Sequence, residues 1–227
     1  MQAEIITIGD ELLIGQVVDT NSAWLGRTLG EDGIKVTQIT SIQDDADQIS
    51  RTVNEALARV SIVLVTGGLG PTRDDITKHT LAELFGMRLV RDEQVYETIR
   101  RQLAVRGIAF NELNRGQALV PDGCTVLPNR NGTAPGMWFE RGGKILVSMP
   151  GVPFEMKALV TDEVLPRLRT HFSLHANVHR TAITFGLAES ILAERIAPWE
   201  AALPANLRLA YLPSALCIRL RLSAYET

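Results

Sequence analysis

Ser61-Ile62-Val63-Leu64-Val65-Thr66-Gly67-Gly68-Leu69-Gly70-Pro71-Thr72-Arg73-Asp74-Asp75 is the stretch on which the fold turns. An aliphatic run rich in β-branched residues passes without a break into three glycines and a proline. The run reads as a strand over Ser61 to Thr66. It lacks polar alternation, the pattern of a parallel strand covered on both faces. The glycines let backbone N–H groups come close to an anion. The helix expected from about Asp75 to Phe85 adds its unpaired N–H groups and the positive end of its dipole. One aspartate would be enough to cap that helix. A second carboxylate beside a phosphate repels it unless a cation lies between them, so the doubled Asp74-Asp75 points to a metal.

Upstream, Ala3 to Ile8 and Ile34 to Ile42 also read as strands. Helices are expected over about Asn21 to Glu31 and Asp47 to Arg59, the second with Ile49, Val53, Ala56 and Leu57 on one face. Strand–helix–strand–helix–strand with short connections predicts parallel strands and right-handed crossovers, an α/β, doubly wound start with helices on both faces. Ligands of such sheets lie at the carboxyl ends of the strands. Downstream, a helix is expected over Asp92 to Gly107. A hairpin of Met137 to Glu140 and Lys144 to Ser148 turns on Arg141-Gly142-Gly143, and a helix runs from Pro153 to about His171. Texture changes near Phe172 to Arg180. The chain is therefore divided into a nucleotide- and phosphate-binding domain, residues 1–172, and a small α+β module, residues 177–227. In the module, strands are expected over Thr181 to Phe185, Leu207 to Leu212 and Leu216 to Ala224, with a helix over Leu187 to Ile196.

Composition narrows the function classes. Of 227 residues, 45% are hydrophobic and 22% charged, which excludes a disordered chain. A net charge of −3 supplies no field for gripping nucleic acid. Two cysteines, Cys124 and Cys217, make no disulfide framework or Cys-rich zinc site. No apolar run approaches the roughly 20 residues that span a bilayer, and the first residues carry no leader pattern. These features read as a cytoplasmic enzyme without membrane or nucleic-acid partners.

Other acids fall at strand ends. Gly9-Asp10-Glu11 follows the first strand, and Asp10 is taken there as a metal and ligand candidate. Asp19 or Thr20 is read as a helix cap. Asp44-Asp45-Ala46-Asp47 follows the second strand, where capping competes with metal binding. Carboxylates from several loops suit Mg²⁺ or a related ion, which takes one or two of them plus phosphate oxygens. Asn129-Arg130-Asn131-Gly132-Thr133-Ala134-Pro135-Gly136 and Met149-Pro150-Gly151-Val152-Pro153-Phe154-Glu155 are two rigid polar loops with groups that can bond a ligand. His171, His175 and His179 recur every four residues, but a helix aligning them would have to cross the boundary, so they are read as linker residues. His79 is read as a surface residue, and Cys124 has no activating neighbour.

Taken together, Gly9-Asp10-Glu11-Leu12-Leu13, Asp19-Thr20-Asn21, Thr66 to Thr72 with Asp74, Asp75 and Thr77, Asn131 to Gly136, and Met149 to Pro153 with Glu155 resemble the CinA family of competence/damage-inducible proteins. The likeness covers about Ala3 to His171, and the tail from Arg180 looks like that family's small middle module. The resemblance implies a molybdopterin-binding-like three-layer fold shared with molybdenum-cofactor adenylyltransferases. It implies an ADP-ribose pyrophosphatase, giving AMP and ribose 5-phosphate with Mg²⁺, Mn²⁺ or Co²⁺ and no organic cofactor. It also implies a homo-oligomer, a dimer foremost. In related pterin enzymes, functional aspartates follow the second strand and lie in the Gly-rich loop, positions that fall on Asp44 and Asp75. Many members continue into a nicotinamide-nucleotide amidase domain; this chain ends before one, so that activity is not expected of it.

The site expected is then as follows. Thr66, Gly67, Gly68, Gly70 and Thr72, with Gly9, Asp10, Asn131, Gly132, Thr133, Pro150 and Gly151, hold the phosphates of a nucleotide or pterin. Asp10, Asp44 and Asp75 hold the metal or its waters. Lys78 and Arg73 balance charge in the transition state, and Glu155 is a second acid. A molybdopterin adenylyltransferase and a non-catalytic nucleotide- or pterin-binding module are the competing readings.

Overall fold

Six strands form the main sheet, in the order β2 (Lys35–Ile42), β1 (Gln2–Ile8), β3 (Ile62–Thr66), β8 (Lys144–Met149), β7 (Gly136–Arg141) and β6 (Thr125–Leu127). The computed structural model describes residues 1–72, 75–174 and 178–224. The first four strands in that order run parallel; β7 pairs antiparallel with β8, and β6 pairs antiparallel with β7 at the far edge.

The unbroken apolar runs reflect burial on two sides. Ile5, Ile62 and Leu64 pack with Leu25 and Leu29 of α2 (Thr20–Glu31) and with Met156 and Leu159 of α7 (Pro153–Leu159). Their chain neighbours Ile6, Val63 and Val65 point the other way. They pack with Ile49, Val53 and Leu57 of α3 (Ala46–Arg59) and Leu81 of α4 (Thr77–Leu84). Residues adjacent in a strand thus serve opposite cores, as the pleat requires. One charge interrupts this pattern: Glu4 of β1 is buried and receives Nε and Nη2 of Arg59, both at 2.8 Å. Such a bidentate pair satisfies both carboxylate oxygens.

From β1 the chain goes to β2 on one side, then crosses back over β1 to β3 on the other. The loops after β1 and β3 therefore leave in opposite directions and open a crevice between them. That is the switch point at which open α/β sheets bind ligands.

Several boundaries differ from expectation. Instead of starting at Asp75, α4 starts at Thr77, because Asp75 is engaged in the preceding loop. The helix expected over Pro153 to His171 is α7, one π turn over Val160–Val164, and α8 (Leu165–His171). Pro166 explains the wider turn: it cannot donate to the carbonyl four residues back, and its ring crowds that carbonyl. Short elements between 86 and 127 carry too little pattern to be seen in the sequence. They are β4 (Leu89–Arg91), α6 (Glu112–Gln117), β5 (Leu119–Pro121) and β6, with α5 (Glu93–Val105) where a helix was expected. Another is α1 (Asp10–Leu13).

Towards the end of the chain, β9 (Val178–Thr184), α9 (Glu189–Ala201), β10 (Leu207–Pro213) and β11 (Ile218–Ala224) form a separate antiparallel sheet, order β10-β11-β9, with one helix. The Tyr211 hydroxyl donates to Glu200 at 2.7 Å and ties β10 to α9. His171 lies edge-on to Trp138 and Phe172, while His179 bonds Ser223 across β9 and β11. Sitting on different elements, they share no helix face; His175 lies outside the described residues. Among the described residues no helix is long and apolar enough to cross a membrane.

Candidate functional site

A cleft of about 490 Å³ opens at the carboxyl ends of the parallel strands. It is lined by Gly9 and Glu11 after β1, Asp44 after β2, residues 67–71 and Asp75 after β3, Pro150 to Val152 and Glu155 after β8, and Thr133 and Ala134. Five loops that are remote in sequence meet there because the sheet brings its strand ends to one edge.

Each acid's place follows from which neighbour takes the capping role. In the run after β2, Asp45 is the N-cap of α3, accepting from Gln48 N at 2.8 Å. Asp44, one residue earlier, is thereby left to face the cleft. After β1, Gly9 N donates to Ile42 O at 3.1 Å and the chain turns into α1. Asp10 is exposed on that turn and Glu11 lines the cleft, so the acid supplied by this loop is Glu11 rather than Asp10. Asp19 caps α2 by accepting from Ser22 N at 2.9 Å, as expected of Asp19 or Thr20.

The Gly-rich loop is set by three contacts. Gly67 has φ 114°, and a Cβ on it would overlap the Ile8 carbonyl oxygen. Gly67 N donates to Met149 O at 3.0 Å. Further along, the Asp75 carboxylate folds back over the loop, accepting from Gly70 N at 2.7 Å, Thr72 N at 2.9 Å and the Thr72 hydroxyl. Two of the N–H groups expected to hold phosphate are thus taken by an internal anion. Those of Gly68 and Leu69 have no acceptor among the described residues. The loop is a nest for negative charge, with Asp75 filling one end of it.

Beneath the loop, the Thr66 hydroxyl donates to Pro150 O at 2.9 Å. Asn21 Nδ2 donates to Gly151 O at 2.8 Å and, more weakly, to Thr66 Oγ1 at 3.4 Å. Asn21 is buried, and it ties the start of α2 to the loops after β3 and β8.

Asn129 organises the opposite wall. Its Oδ1 accepts from Asn131 N and Gly132 N, both at 3.0 Å, and its Nδ2 donates to Ala134 O at 2.9 Å and Glu155 Oε2 at 2.7 Å. Gly132 is needed because the Glu155 carboxylate occupies the space a Cβ would fill. Asn131 itself does not line the cleft; its backbone shapes the loop. Asn129→Ala orphans several buried groups at once, each worth about 1 kcal/mol. A loss of about 2 kcal/mol in unfolding free energy is expected, read by urea denaturation, with no change in the slope.

Lys78 is not among the residues lining the cleft. Its Nζ donates to Gly116 O at 2.9 Å, near the end of α6, and burial pushes its pKa down to about 8. Transition-state contact is therefore not supported by its position. The ammonium is costly in the folded state and the unfolded chain binds the proton more tightly. Stability should thus rise with pH between about 8 and the unfolded value near 10.4. The stability difference between wild type and Lys78→Met should shift towards the wild type from pH 7 to pH 10, by no more than about 3 kcal/mol. A difference flat in pH, measured by Tm, would remove the buried charge from the account. Cys124 is pushed up to about 11 by burial, which keeps the thiol protonated and unreactive. Arg73 and Asp74 lie outside the described residues.

Four carboxylates, Glu11, Asp44, Asp75 and Glu155, line the cleft, and no lining residue is basic among those described. A polyanion entering alone would meet like charge. Thr77 Oγ1 is fully buried without a hydrogen-bond partner among the described residues, and it lies with Asp44 Oδ1 around Gly68. These are hard oxygen donors, suited to Mg²⁺ or Mn²⁺. No three acids, histidines or cysteines among the described residues converge closely enough to hold an ion alone. The arrangement fits an ion that completes its shell with waters and phosphate oxygens, not a closed protein cage.

Residues 4–170 match the family described as a probable molybdopterin-binding domain. A CinA-like protein of Cytophaga hutchinsonii is 50% identical, over 97% of this chain and 53% of its own length. One from Flavobacterium psychrophilum is 46% identical over 99% of this chain and 54% of its own length. The chain thus spans about half the length of the curated relatives it matches. Among solved structures, CinA of Thermoplasma acidophilum, itself of unknown function, is 37% identical. It superposes with a TM-score of 0.65 over 70% of this chain and 94% of its own. MoaB, a molybdopterin biosynthesis enzyme of Thermus thermophilus, shares the fold at 19% identity and a TM-score of 0.51, over 76% of this chain and 96% of its own.

Proposed function

Since the chain belongs to the molybdopterin-binding domain family, among its CinA-like members, we propose that it hydrolyses a nucleotide pyrophosphate with a divalent metal, with ADP-ribose as substrate. The observation that carries this reading is the pairing, in one cleft, of a Gly-rich anion nest with four carboxylates and no described basic residue. That pairing suits a ligand that is a polyanion and arrives with a cation. ADP-ribose as the particular substrate rests on the CinA resemblance.

In this reading the N–H groups of Gly68 and Leu69 take one phosphate. The second displaces Asp75 from Gly70 and Thr72, and Asp75 turns to the metal side. Asp44 and Asp75 would hold the ion, which when bound polarises the scissile phosphoryl group and favours hydroxide over water. Glu155, fixed by Asn129, accepts the proton of the attacking water. As the new P–O bond forms, the bridging P–O bond breaks and its electron pair leaves with the other phosphate, giving AMP and ribose 5-phosphate. Asn21 and Thr66 keep the two loops in register so that the nest retains its shape.

The test is a panel of ADP-ribose with Mg²⁺, Mn²⁺ or Co²⁺, read by chromatography of the nucleotides. AMP and ribose 5-phosphate in equal amounts support the reading. Tight binding of nucleotide or pterin without turnover would leave a binding module. Adenylation of molybdopterin with release of pyrophosphate would make the chain a transferase.

A further inference from the structure

Behind the wall built on Asn129 lies a second chamber, of about 170 Å³. Val95 and Ile99 of α5, Val126 of β6, and Pro128 and Pro135 give it apolar walls. Its polar side chains are those of Asp92, Gln94, Thr98, Asn129 and Thr133. The Asp92 carboxylate is engaged as the N-cap of α5, accepting from Val95 N at 2.9 Å. Gln94 and Thr98 contribute an amide and a hydroxyl that have no hydrogen-bond partner among the described residues. None of the lining residues among those described is basic, so they offer a phosphate no cation.

The chamber adjoins the cleft. Thr133 lines both, and Gly132, on the chamber side, has the Glu155 carboxylate of the cleft packed against it. Mostly apolar walls with a few polar groups are the composition of a ligand pocket. In size it slightly exceeds the roughly 150 Å³ apolar cavity that accommodates benzene. One flat ring system fits that space and chemistry; a sugar or a second phosphate, which bring many groups needing hydrogen bonds, does not.

From this geometry we infer that the chamber is a heterocycle subsite, taking the flat purine or pterin ring of a ligand whose phosphates lie in the cleft. The inference rests on the phosphate reading of that cleft. Val95, Ile99 and Val126 pack against the ring faces, while Gln94 and Thr98 meet its polar edge. The ligand reaches from cleft to chamber past Thr133.

The test is calorimetric binding of AMP, adenosine, neopterin and ribose 5-phosphate to the wild type, Thr98→Trp and Gln94→Ala. Thr98 and Gln94 are exposed on α5, so neither change enters the core. The wild type is expected to bind AMP at least about tenfold more tightly than ribose 5-phosphate, a difference of about 1.4 kcal/mol. Thr98→Trp, with unchanged Tm, should erase that advantage and leave ribose 5-phosphate affinity as it was. Gln94→Ala should reduce AMP affinity several-fold. A preference for neopterin over adenosine, lost in Thr98→Trp, would make the ring a pterin; the reverse would make it a purine. If the phosphate reading of the cleft fails, ribose 5-phosphate does not bind, yet adenosine or neopterin still binds and is still lost in Thr98→Trp. Equal affinity of wild type and Thr98→Trp for every ring-bearing ligand, or equal weakening of AMP and ribose 5-phosphate, overturns the subsite.

Discussion

Asp75→Ala is expected to abolish release of AMP from ADP-ribose and, at the same time, to tighten binding of inorganic pyrophosphate in metal-free buffer by about tenfold. The two effects have opposite signs because Asp75 plays two parts. Its carboxylate accepts from Gly70 N, Thr72 N and the Thr72 hydroxyl. Hydrogen bonds to a charged group contribute about 1.5–3 kcal/mol each in protected sites. Here the contacts are largely open to water, so the net hold is closer to the 1.4 kcal/mol that a tenfold change represents. Removing the carboxylate frees two aligned donors for phosphate and takes away one negative charge. Turnover is expected to be lost because, in the proposed mechanism, the same carboxylate holds the metal once phosphate has displaced it. Asp75→Asn keeps the side chain's size and should lie between wild type and alanine in pyrophosphate affinity, with turnover still lost. Weaker pyrophosphate binding in both variants at unchanged Tm would mean that Asp75 only shapes the loop. Undiminished AMP release would remove it from the chemistry.

What could be read from the sequence was what repeats. Each of β1, β3 and β8 announces itself as an apolar run, and α3 shows its core face as Ile49, Val53, Ala56 and Leu57. Those elements, with the glycines after β3, were enough to place the cleft at the right edge of the sheet. What the sequence hides is single-residue choice. Asp44 and Asp45 are alike as letters, and only the start of α3 makes one a cap and leaves the other facing the cleft. The four-residue α1 likewise exposes Asp10 and brings Glu11 to the cleft, a choice no periodicity records. Asn129 is a different case. An asparagine two and three residues before Asn131-Gly132 is a turn signal, but its bond to Glu155 spans 26 positions and depends on the sheet. Three-residue strands such as β6 are too short for alternation to show, which is why the edge of the sheet went unseen.

Gly67→Ala is expected to be the most destabilising single-methyl change at the site. Two separate costs add. The backbone at Gly67 has φ 114°, a region that L-residues avoid at about 1–3 kcal/mol. The added methyl would also overlap the Ile8 carbonyl oxygen, which is main chain at the end of β1, a strand paired on both sides, and cannot swing aside as a side chain could. Relief requires moving the loop away from β1, which breaks the 3.0 Å bond from Gly67 N to Met149 O and opens the contact with Gly151. A total of about 3 kcal/mol is reasonable for strain plus overpacking. For a domain of this size that lowers Tm by about 6–12 °C. Because the displaced loop carries the nest, pyrophosphate affinity should fall with stability, whereas Asp75→Ala raises it. Gly143→Ala, at a turn residue with φ 74° and open space around it, isolates the conformational cost from the clash. If the two alanines lower Tm equally, the approach of Gly67 to Ile8 contributes nothing, and the crevice between β1 and β3 is looser than its geometry indicates.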